Sequence, residues 1–187
     1  MATPEAVIEI GSIGIRLLVV QVKTNGGWEV LDFYELPVAL GRDVFTTGSI
    51  SRSNLVLCLQ ILSRFKEQLE GWGIKPEQTL VIATSALREA KNPDPITDRI
   101  FIKTGFKVRV IDGIEENRLM YLAVTNKIKL LSKKNVSEDS IILEVGGGST
   151  EMMLIKEGKM AGAHSLKIGT IRIEQNLNLP AATNDDI

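Results

Sequence analysis

The chain has 187 residues, 44% of them hydrophobic, and a formal net charge of −1 at pH 7. These values predict a soluble globular protein with one hydrophobic core, or one core and part of another. The balanced charge excludes bulk electrostatic binding to nucleic acid, because such binding requires a strongly basic surface. No apolar run reaches the roughly 18 residues of a membrane helix, and no export signal is recognisable. The single Cys58 excludes an internal disulfide framework, so we expect a cytoplasmic protein without a membrane partner.

Hydrophobic periodicity in residues 1–127 predicts a mixed sheet with helices packed against it. Ser51 or Ser53 is expected to cap a helix that ends near Gly71. Another helix is expected after the strand at 107–111, the last strand of this region. Residues 37–53 are predicted to form a loop. Three strands are predicted within residues 7–36, with turns between them at 11–14 and 25–27. Two further strands are predicted at 80–83 and 107–111. The later predicted helices are 93–104 and 113–127.

The most informative motif is a glycine-rich hairpin within residues 141–155. Its apolar arms predict two buried strands, and the glycines Gly146–Gly148 would let the backbone turn with positive φ. Such a tip carries no side chains, so several backbone N–H groups can approach one anion. The glutamates on either side, Glu144 and Glu151, suit a phosphate that carries Mg²⁺. The alternative is a tight hairpin in which the glycines only form the turn.

A similar hairpin occurs near the amino terminus, where Glu9-Ile10-Gly11-Ser12 separates two apolar strands. Two such hairpins suggest a duplicated architecture in which each half offers one loop to a shared phosphate chain. Further motifs follow in order at Leu40–Phe45, Ala83–Ala90, Ile111–Leu119 and Ser165–Gly169. Together with the hairpins, this ordered set covers nearly the whole chain. It resembles the exopolyphosphatase and guanosine pentaphosphate phosphatase family, within the actin, heat-shock-70 and sugar-kinase superfold.

The resemblance implies an α/β fold of the ribonuclease-H-like, actin-like ATPase type, with a mixed sheet and flanking helices. It also implies duplication, with a first domain at 1–127 and an incomplete second copy at 128–187, so the chain resembles an amino-terminal portion or a shortened member. The implied activity releases the terminal phosphate of inorganic polyphosphate or guanosine pentaphosphate by a Mg²⁺-assisted water attack. Polyphosphate or guanosine penta- or tetraphosphate would be the partner, and pairing of two chains into a homodimer is left open.

The resemblance also implies binding or catalytic roles for residues whose presence has a simpler structural explanation. Arg88 at a strand end could clamp a phosphate, although a lone arginine is usually a solvated surface charge. Glu115 and Glu116 at a helix start would complement the helix dipole. The family uses a glutamate of this segment to polarise the attacking water, which implies Glu116 as the base and Glu115 as its neighbour. The implied phosphate-binding residues are Gly11, Ser12, Arg88, Gly146, Gly147, Gly148, Ser149 and Thr150, and the implied metal ligands are Glu9, Glu144 and Glu151.

Three positions depart from the family pattern. Glu9 and Glu144 stand where the family usually has aspartate, and Ile13 stands where it usually has asparagine. Each longer acid moves its carboxylate outward by about one C–C bond. Metal and water positions could then shift by around 1 Å, and a misplacement of that size can cost on the order of a hundredfold in rate. The departures leave open a second hypothesis, a phosphate- or nucleotide-sensing relative with weakened turnover. A kinase of the same superfold is a third, although the sequence carries no Gly-x-x-x-x-Gly-Lys loop.

Overall fold

The computed structural model describes residues 4–24, 27–132 and 139–177. The chain folds into two compact units, Met1–Ile111 and Asp112–Ile187. No helix within the described residues combines the length and the apolar surface that crossing a membrane would need.

The first unit is a five-stranded mixed sheet with helices. Its elements in chain order are β1 (Pro4–Ile10), β2 (Gly14–Val22), β3 (Trp28–Pro37), α1 (Leu40–Thr47), α2 (Arg52–Gly71), β4 (Thr79–Ala83), α3 (Ser85–Glu89), α4 (Pro93–Thr104) and β5 (Val108–Val110). The sheet has the order β3-β2-β1-β4-β5, in which β1 pairs antiparallel with β2 and parallel with β4. The predicted α/β fold with a mixed sheet and flanking helices is therefore confirmed.

The buried side chains of this unit follow the two expected periodicities. Every second residue is buried from Ala6 to Ile10 in β1 and from Ile15 to Val19 in β2, because successive strand side chains point to opposite faces. In α2 the buried residues recur at spacings of three and four, which places one face of the helix in the core. Ser51 caps this helix as expected, since its side chain accepts a hydrogen bond from the Asn54 amide over 3.2 Å.

The prediction of a loop over residues 37–53 is wrong, because α1 occupies much of it. Leu40 and Val44 lie one turn apart and are both buried, which offsets the ordering cost of so short a helix. Gly48 ends it with φ of +81° and donates its N–H to the Val44 carbonyl. The predicted turn at 25–27 includes Asn25 and Gly26, which lie outside the described residues.

The second unit contains a three-stranded antiparallel sheet, ordered β6-β7-β8. Its elements are α5 (Gly113–Ser132), β6 (Ser140–Val145), β7 (Thr150–Lys156), β8 (Lys159–Leu166) and α6 (Thr170–Leu177). Glu151, Met153 and Ile155 are buried on one face of β7. The Tyr121 hydroxyl of α5 donates to the Gly158 carbonyl over 2.9 Å, so this helix packs with the second sheet.

The compact units divide earlier than the predicted domain boundary near Ile128. The sequence placed α5 in the first domain, whereas this helix packs against β7 and β8. The helix also continues to Ser132, beyond the predicted end near Lys127. Hydrophobic periodicity indicates such a helix but not the sheet against which it packs. The domain limits 1–127 and 128–187 remain a prediction.

Candidate functional site

The glycine loop between β6 and β7 is held by the amino-terminal end of α6. The Gly146 amide donates to the Ser149 carbonyl over 2.8 Å and closes the loop. The Thr170 and Ile171 amides each donate over 3.0 Å, to the carbonyls of Gly146 and Gly147 respectively. In addition, Arg172 Nε donates to the Gly148 carbonyl. All three glycine carbonyl groups are therefore bonded to residues of α6.

These bonds fix the direction of the loop amides. In a trans peptide the N–H of one residue points opposite to the carbonyl of the residue before it, and no cis peptide is present among the described residues. The N–H groups of Gly147, Gly148 and Ser149 consequently face away from α6. Within the described part of the chain none of them has a backbone acceptor. Successive backbone amides directed to one side are an arrangement that can bind an anion.

A close backbone approach, rather than positive φ, accounts for glycine at positions 146 and 169. None of the loop glycines is among the described residues with positive φ, so that expectation is wrong. A Cβ on Gly169 would lie 2.4 Å from the Gly147 carbonyl oxygen, and one on Gly146 would lie 3.3 Å from the Ser149 carbonyl oxygen. Glycine at position 169 therefore lets the start of α6 reach the loop.

The loop between β1 and β2 has matching hydrogen bonds within the first unit. The Gly11 amide donates to the Gly14 carbonyl over 2.9 Å, and the Gly41 amide at the start of α1 donates to the Ser12 carbonyl over 2.8 Å. Each hairpin loop is thus closed by its first glycine and bonded to the helix that follows the third strand. The Ser12 and Ser85 hydroxyls lie 2.7 Å apart and are buried. This bond ties the loop to α3, the helix that carries the predicted phosphate ligand Arg88.

Arg88 and Thr150 both make structural hydrogen bonds. Arg88 Nη1 donates to the Ile111 carbonyl over 3.0 Å, which anchors one edge of its guanidinium near the end of β5. A guanidinium carries five N–H donors, so this bond is compatible with phosphate contact through another edge. Thr150 Oγ1 donates to the Ile168 carbonyl, which commits the proton of that hydroxyl to the backbone. A phosphate contact by Thr150 would therefore require its amide rather than its hydroxyl.

The predicted metal ligand Glu9 forms an ion pair. Its Oε2 accepts a hydrogen bond from Arg16 Nη1 over 3.1 Å, and Arg16 Nε donates to Glu35 Oε1 over 3.0 Å. Partial burial acts to lower the pKa of Arg16, but attraction to Glu9 and Glu35 outweighs it and leaves that pKa above its ordinary value. Glu9 therefore already has a permanent positive neighbour.

The corresponding strand positions of the second unit carry two acids. Glu144 and Glu151 lie directly opposite each other on β6 and β7. Glu151 is only 2% exposed; its Oε1 accepts from Ser165 Oγ over 2.7 Å and its Oε2 from Asn117 Nδ2 over 3.1 Å. Like charges at opposite positions destabilise a strand pair unless a cation offsets them. This pair of carboxylates therefore fits a hard divalent cation such as Mg²⁺.

The predicted catalytic pair lies in the first turn of α5. Asp112 directly precedes this helix: its Oδ1 accepts from the Glu115 amide over 2.8 Å, and its carbonyl accepts from the Glu116 amide over 3.0 Å. Glu115 Oε1 lies 3.7 Å from Arg118 Nη1. Glu116 directly precedes Asn117, which bonds Glu151, so the turn that carries Glu116 is attached to the acidic pair of the sheet. No group of three or more His, Cys, Asp or Glu residues arranged to hold a metal ion occurs among the described residues.

Sequence reasoning missed three side chains of this site: Asn117, Ser165 and Arg172. Of the three, Arg172 has a signal in the sequence. In both units an arginine directly follows a residue whose amide donates to the loop, Ile171 in the second unit and Gly41 in the first. The buried contacts of Asn117 and Ser165 have no comparable sequence signal, since each depends on the packing of Glu151.

Comparison with known proteins supports the resemblance found in the sequence. Residues 19–180 match the Ppx/GppA phosphatase family. The chain is 26% identical to exopolyphosphatase 1 of Mycobacterium leprae, covering 89% of the chain and 47% of that protein. It is 31% identical to guanosine-5'-triphosphate,3'-diphosphate pyrophosphatase of Photobacterium profundum, covering 89% of the chain and 32% of that protein.

Solved structures give the same result. The chain resembles the crystal structure of the Aquifex aeolicus member of the Ppx/GppA family with a TM-score of 0.76 and 28% identity, covering 94% of the chain and 54% of that protein. The chain spans about half or less of the length of the Mycobacterium leprae and Photobacterium profundum relatives. The family match over most of the chain, together with the shared actin-like fold, assigns the chain to the Ppx/GppA phosphatase family.

Proposed function

We propose that this chain forms the phosphate-binding part of a phosphohydrolase that releases the terminal phosphate of inorganic polyphosphate or guanosine pentaphosphate. The observation that carries the proposal is the direction of the Gly147, Gly148 and Ser149 amides, which face away from α6 and suit an anion. The names of the Mycobacterium leprae and Photobacterium profundum relatives supply the two substrate classes. Both substrates present the phosphoanhydride oxygens that successive amides bind well.

In this proposal Glu116 is the general base. Its carboxylate accepts a proton from the attacking water, the water oxygen forms a bond to the terminal phosphorus, and the bridging P–O bond breaks. The loop residues Gly11 and Ser12, the loop at 146–150 and Arg88 hold the phosphate oxygens. Glu115 pairs with Arg118 and acts as the neighbour of the base.

Phosphatases of this family generally depend on a divalent metal ion. We propose Mg²⁺, which prefers oxygen ligands and, when bound, neutralises charge that develops on the transferring phosphoryl group. Glu144 and Glu151 are the residues that would hold it, with Glu9 as a further candidate that is already paired with Arg16. We also place the reaction in the cytoplasm, where the single buried Cys58 needs no disulfide partner.

The test is phosphate release from polyphosphate and from guanosine pentaphosphate, measured with Mg²⁺ and with chelator. Because the chain is shorter than its relatives, it is assayed alone and within the longest protein that contains it. Release that requires Mg²⁺ on either substrate supports the proposal. Binding of both substrates without any release would instead support the sensing hypothesis.

Two observations favour that second candidate, a phosphate- or nucleotide-sensing relative with weakened turnover. Glu9 is held by Arg16, and Ile13 is 47% exposed within the first loop. The triple substitution Ile13→Asn, Glu9→Asp and Glu144→Asp would restore the usual family side chains. For a sensor, the triple variant should raise Mg²⁺-dependent release well above each single variant, because residues around one cluster act non-additively. Flat or reduced release from an already active protein would count against the sensor.

A further inference from the structure

The Asn117 side chain has one satisfied end and one unsatisfied end. Its Nδ2 donates to the Gly113 carbonyl over 2.9 Å and to Glu151 Oε2 over 3.1 Å. A carbonyl and a carboxylate both need a donor, so the amide nitrogen must face them and the orientation of the amide is determined. Asn117 is 4% exposed, and Oδ1 has no donor anywhere in the described part of the chain.

Glu151, the acid that Asn117 holds, has no permanent counter-charge among the residues that the structure describes. Its two hydrogen bonds come from neutral groups, Ser165 Oγ and Asn117 Nδ2, and no described lysine, arginine or histidine forms an ion pair with it. A buried carboxylate without a positive partner is costly. Its cross-strand neighbour Glu144 adds a second acid rather than a cation.

The two features point to one ligand. An unsatisfied buried oxygen requires a donor, and a buried carboxylate with a second acid opposite it favours positive charge. A hydrated divalent cation supplies both, because Mg²⁺ carries the charge and the waters it retains are strong donors. Neither a bare monovalent cation nor a neutral water would meet both needs.

We propose that Asn117 is a positioning residue of a divalent-cation site formed with Glu151 and Glu144. Its Nδ2 fixes the orientation of the Glu151 carboxylate, and its Oδ1 accepts a hydrogen bond from a water of the hydrated ion. The choice of Mg²⁺ as that ion rests on the proposed function. Asn117 thereby sets how tightly the acidic pair binds the cation, a role that goes beyond the base at Glu116 and the phosphate loops.

The experiment measures Mg²⁺ binding in the absence of substrate. Isothermal titration with MgCl₂ and the Mg²⁺-induced rise in unfolding temperature are recorded for the native chain, Asn117→Ala and Asn117→Asp. Partners that orient metal ligands typically change metal affinity by about 10-fold to 100-fold, so Asn117→Ala should bind Mg²⁺ at least about tenfold more weakly. Asn117→Asp should change the response to Mg²⁺ in the opposite direction. In chelator this variant should be less stable than the native chain, because three acids repel one another. Its Mg²⁺-induced rise in unfolding temperature should be larger than that of the native chain.

Thr125→Val is the matched control, since Thr125 is buried on the same helix and donates only to carbonyls of that helix. It should lower the unfolding temperature equally with and without Mg²⁺. Mg²⁺ affinities within about twofold of the native value for both Asn117 variants would overturn the proposal and leave Asn117 a purely structural residue. If Asn117→Ala does not fold, Asn117→Asp alone decides, by whether its Mg²⁺-induced rise in unfolding temperature is larger than that of the native chain. Absence of phosphate release by the native chain would remove the proposed function without affecting these binding measurements.

Discussion

Arg16 and Glu9 lie directly opposite each other on β2 and β1, and Arg16 Nη1 donates to Glu9 Oε2 over 3.1 Å. The second unit repeats this hairpin with two acids, Glu144 and Glu151, at the opposed positions. The residue opposite the acid of the first hairpin is therefore a cation, whereas the residue opposite Glu151 in the second hairpin is another acid.

This difference predicts unequal effects of two similar substitutions on Mg²⁺ binding. Glu144→Gln removes a carboxylate from the acidic pair of the second hairpin and should weaken Mg²⁺ affinity by at least about tenfold. Glu9→Gln should change it by less than about threefold, because Glu9 is already paired with Arg16. Calorimetric titration of both variants makes the comparison. A larger loss from Glu9→Gln would transfer the metal site to the first unit.

Glu116 and Glu115 provide the test of the general base. Glu116→Gln should keep the fold and the affinity for polyphosphate but lower kcat by about 100-fold or more, the usual range for a general base. Glu115→Gln is the matched control: it removes the same charge from the same helix turn, from a side chain that faces Arg118, and should lower kcat only slightly. Equal losses would mean that the pair holds the water jointly, and an unchanged kcat in Glu116→Gln would exclude it from the mechanism.

Gly169 tests the geometry of the second loop. In Gly169→Ala the new Cβ would meet the Gly147 carbonyl oxygen at 2.4 Å, so either the loop or the start of α6 must move. A displacement near 1 Å should reduce turnover by about 100-fold. Gly162→Ala is the control, because no atom lies within 4 Å of its new Cβ. Assays of phosphate release with both variants compare them, and full activity of Gly169→Ala would show that the loop position does not matter.

Asp43 should make the stability of the first unit depend on pH. Its Oδ2 accepts from the Ser51 amide and from Asn54 Nδ2, each over 2.8 Å, and so joins α1 to the start of α2. Burial acts to raise the pKa of Asp43, but these hydrogen bonds outweigh it and place that pKa below its ordinary value. The stability it contributes is therefore fully present above about pH 4, the value of an unfolded aspartate, and is lost as pH falls through the lower folded value.

Urea unfolding of Asp43→Asn at several pH values measures this contribution. At pH 7 the variant should lose about 1.5 kcal/mol of unfolding free energy, the low end of the range for hydrogen bonds to a charged group, because Asp43 is only partly buried. The difference from the native chain should shrink below about pH 4. Asp98→Asn is the control, because the side chain of that aspartate is exposed. A difference that stays constant into acid would mean that the charge of Asp43 is unimportant.

Sequence alone predicted the elements whose pattern is local and long. The buried stripe and the Ser51 cap of α2 follow from spacings within one segment, and so do the alternating strands around the first glycine loop. Of the two strands predicted to be buried around the second glycine loop, β7 has buried residues, whereas no residue of β6 is buried. The short helix α1 was missed because its signals are weak: its stability comes from burial of Leu40 and Val44 rather than from propensity. The helix α5 continues past its predicted end near Lys127, and its last turn still carries the apolar residues Ile128, Leu130 and Leu131.

The sequence by itself determined the family resemblance, the two glycine loops and the positions of the acids, because each is a motif of adjacent residues. Only the tertiary structure decided which charges stand beside each acid. Strand register places Arg16 beside Glu9 but Glu144 beside Glu151, and the packing of α5 brings Asn117 to Glu151 across 34 positions of sequence. The direction of the loop amides was likewise decided by α6, whose amides bond the glycine carbonyls. These relationships depend on residues far apart in the chain, and short-range patterns carry no information about such contacts.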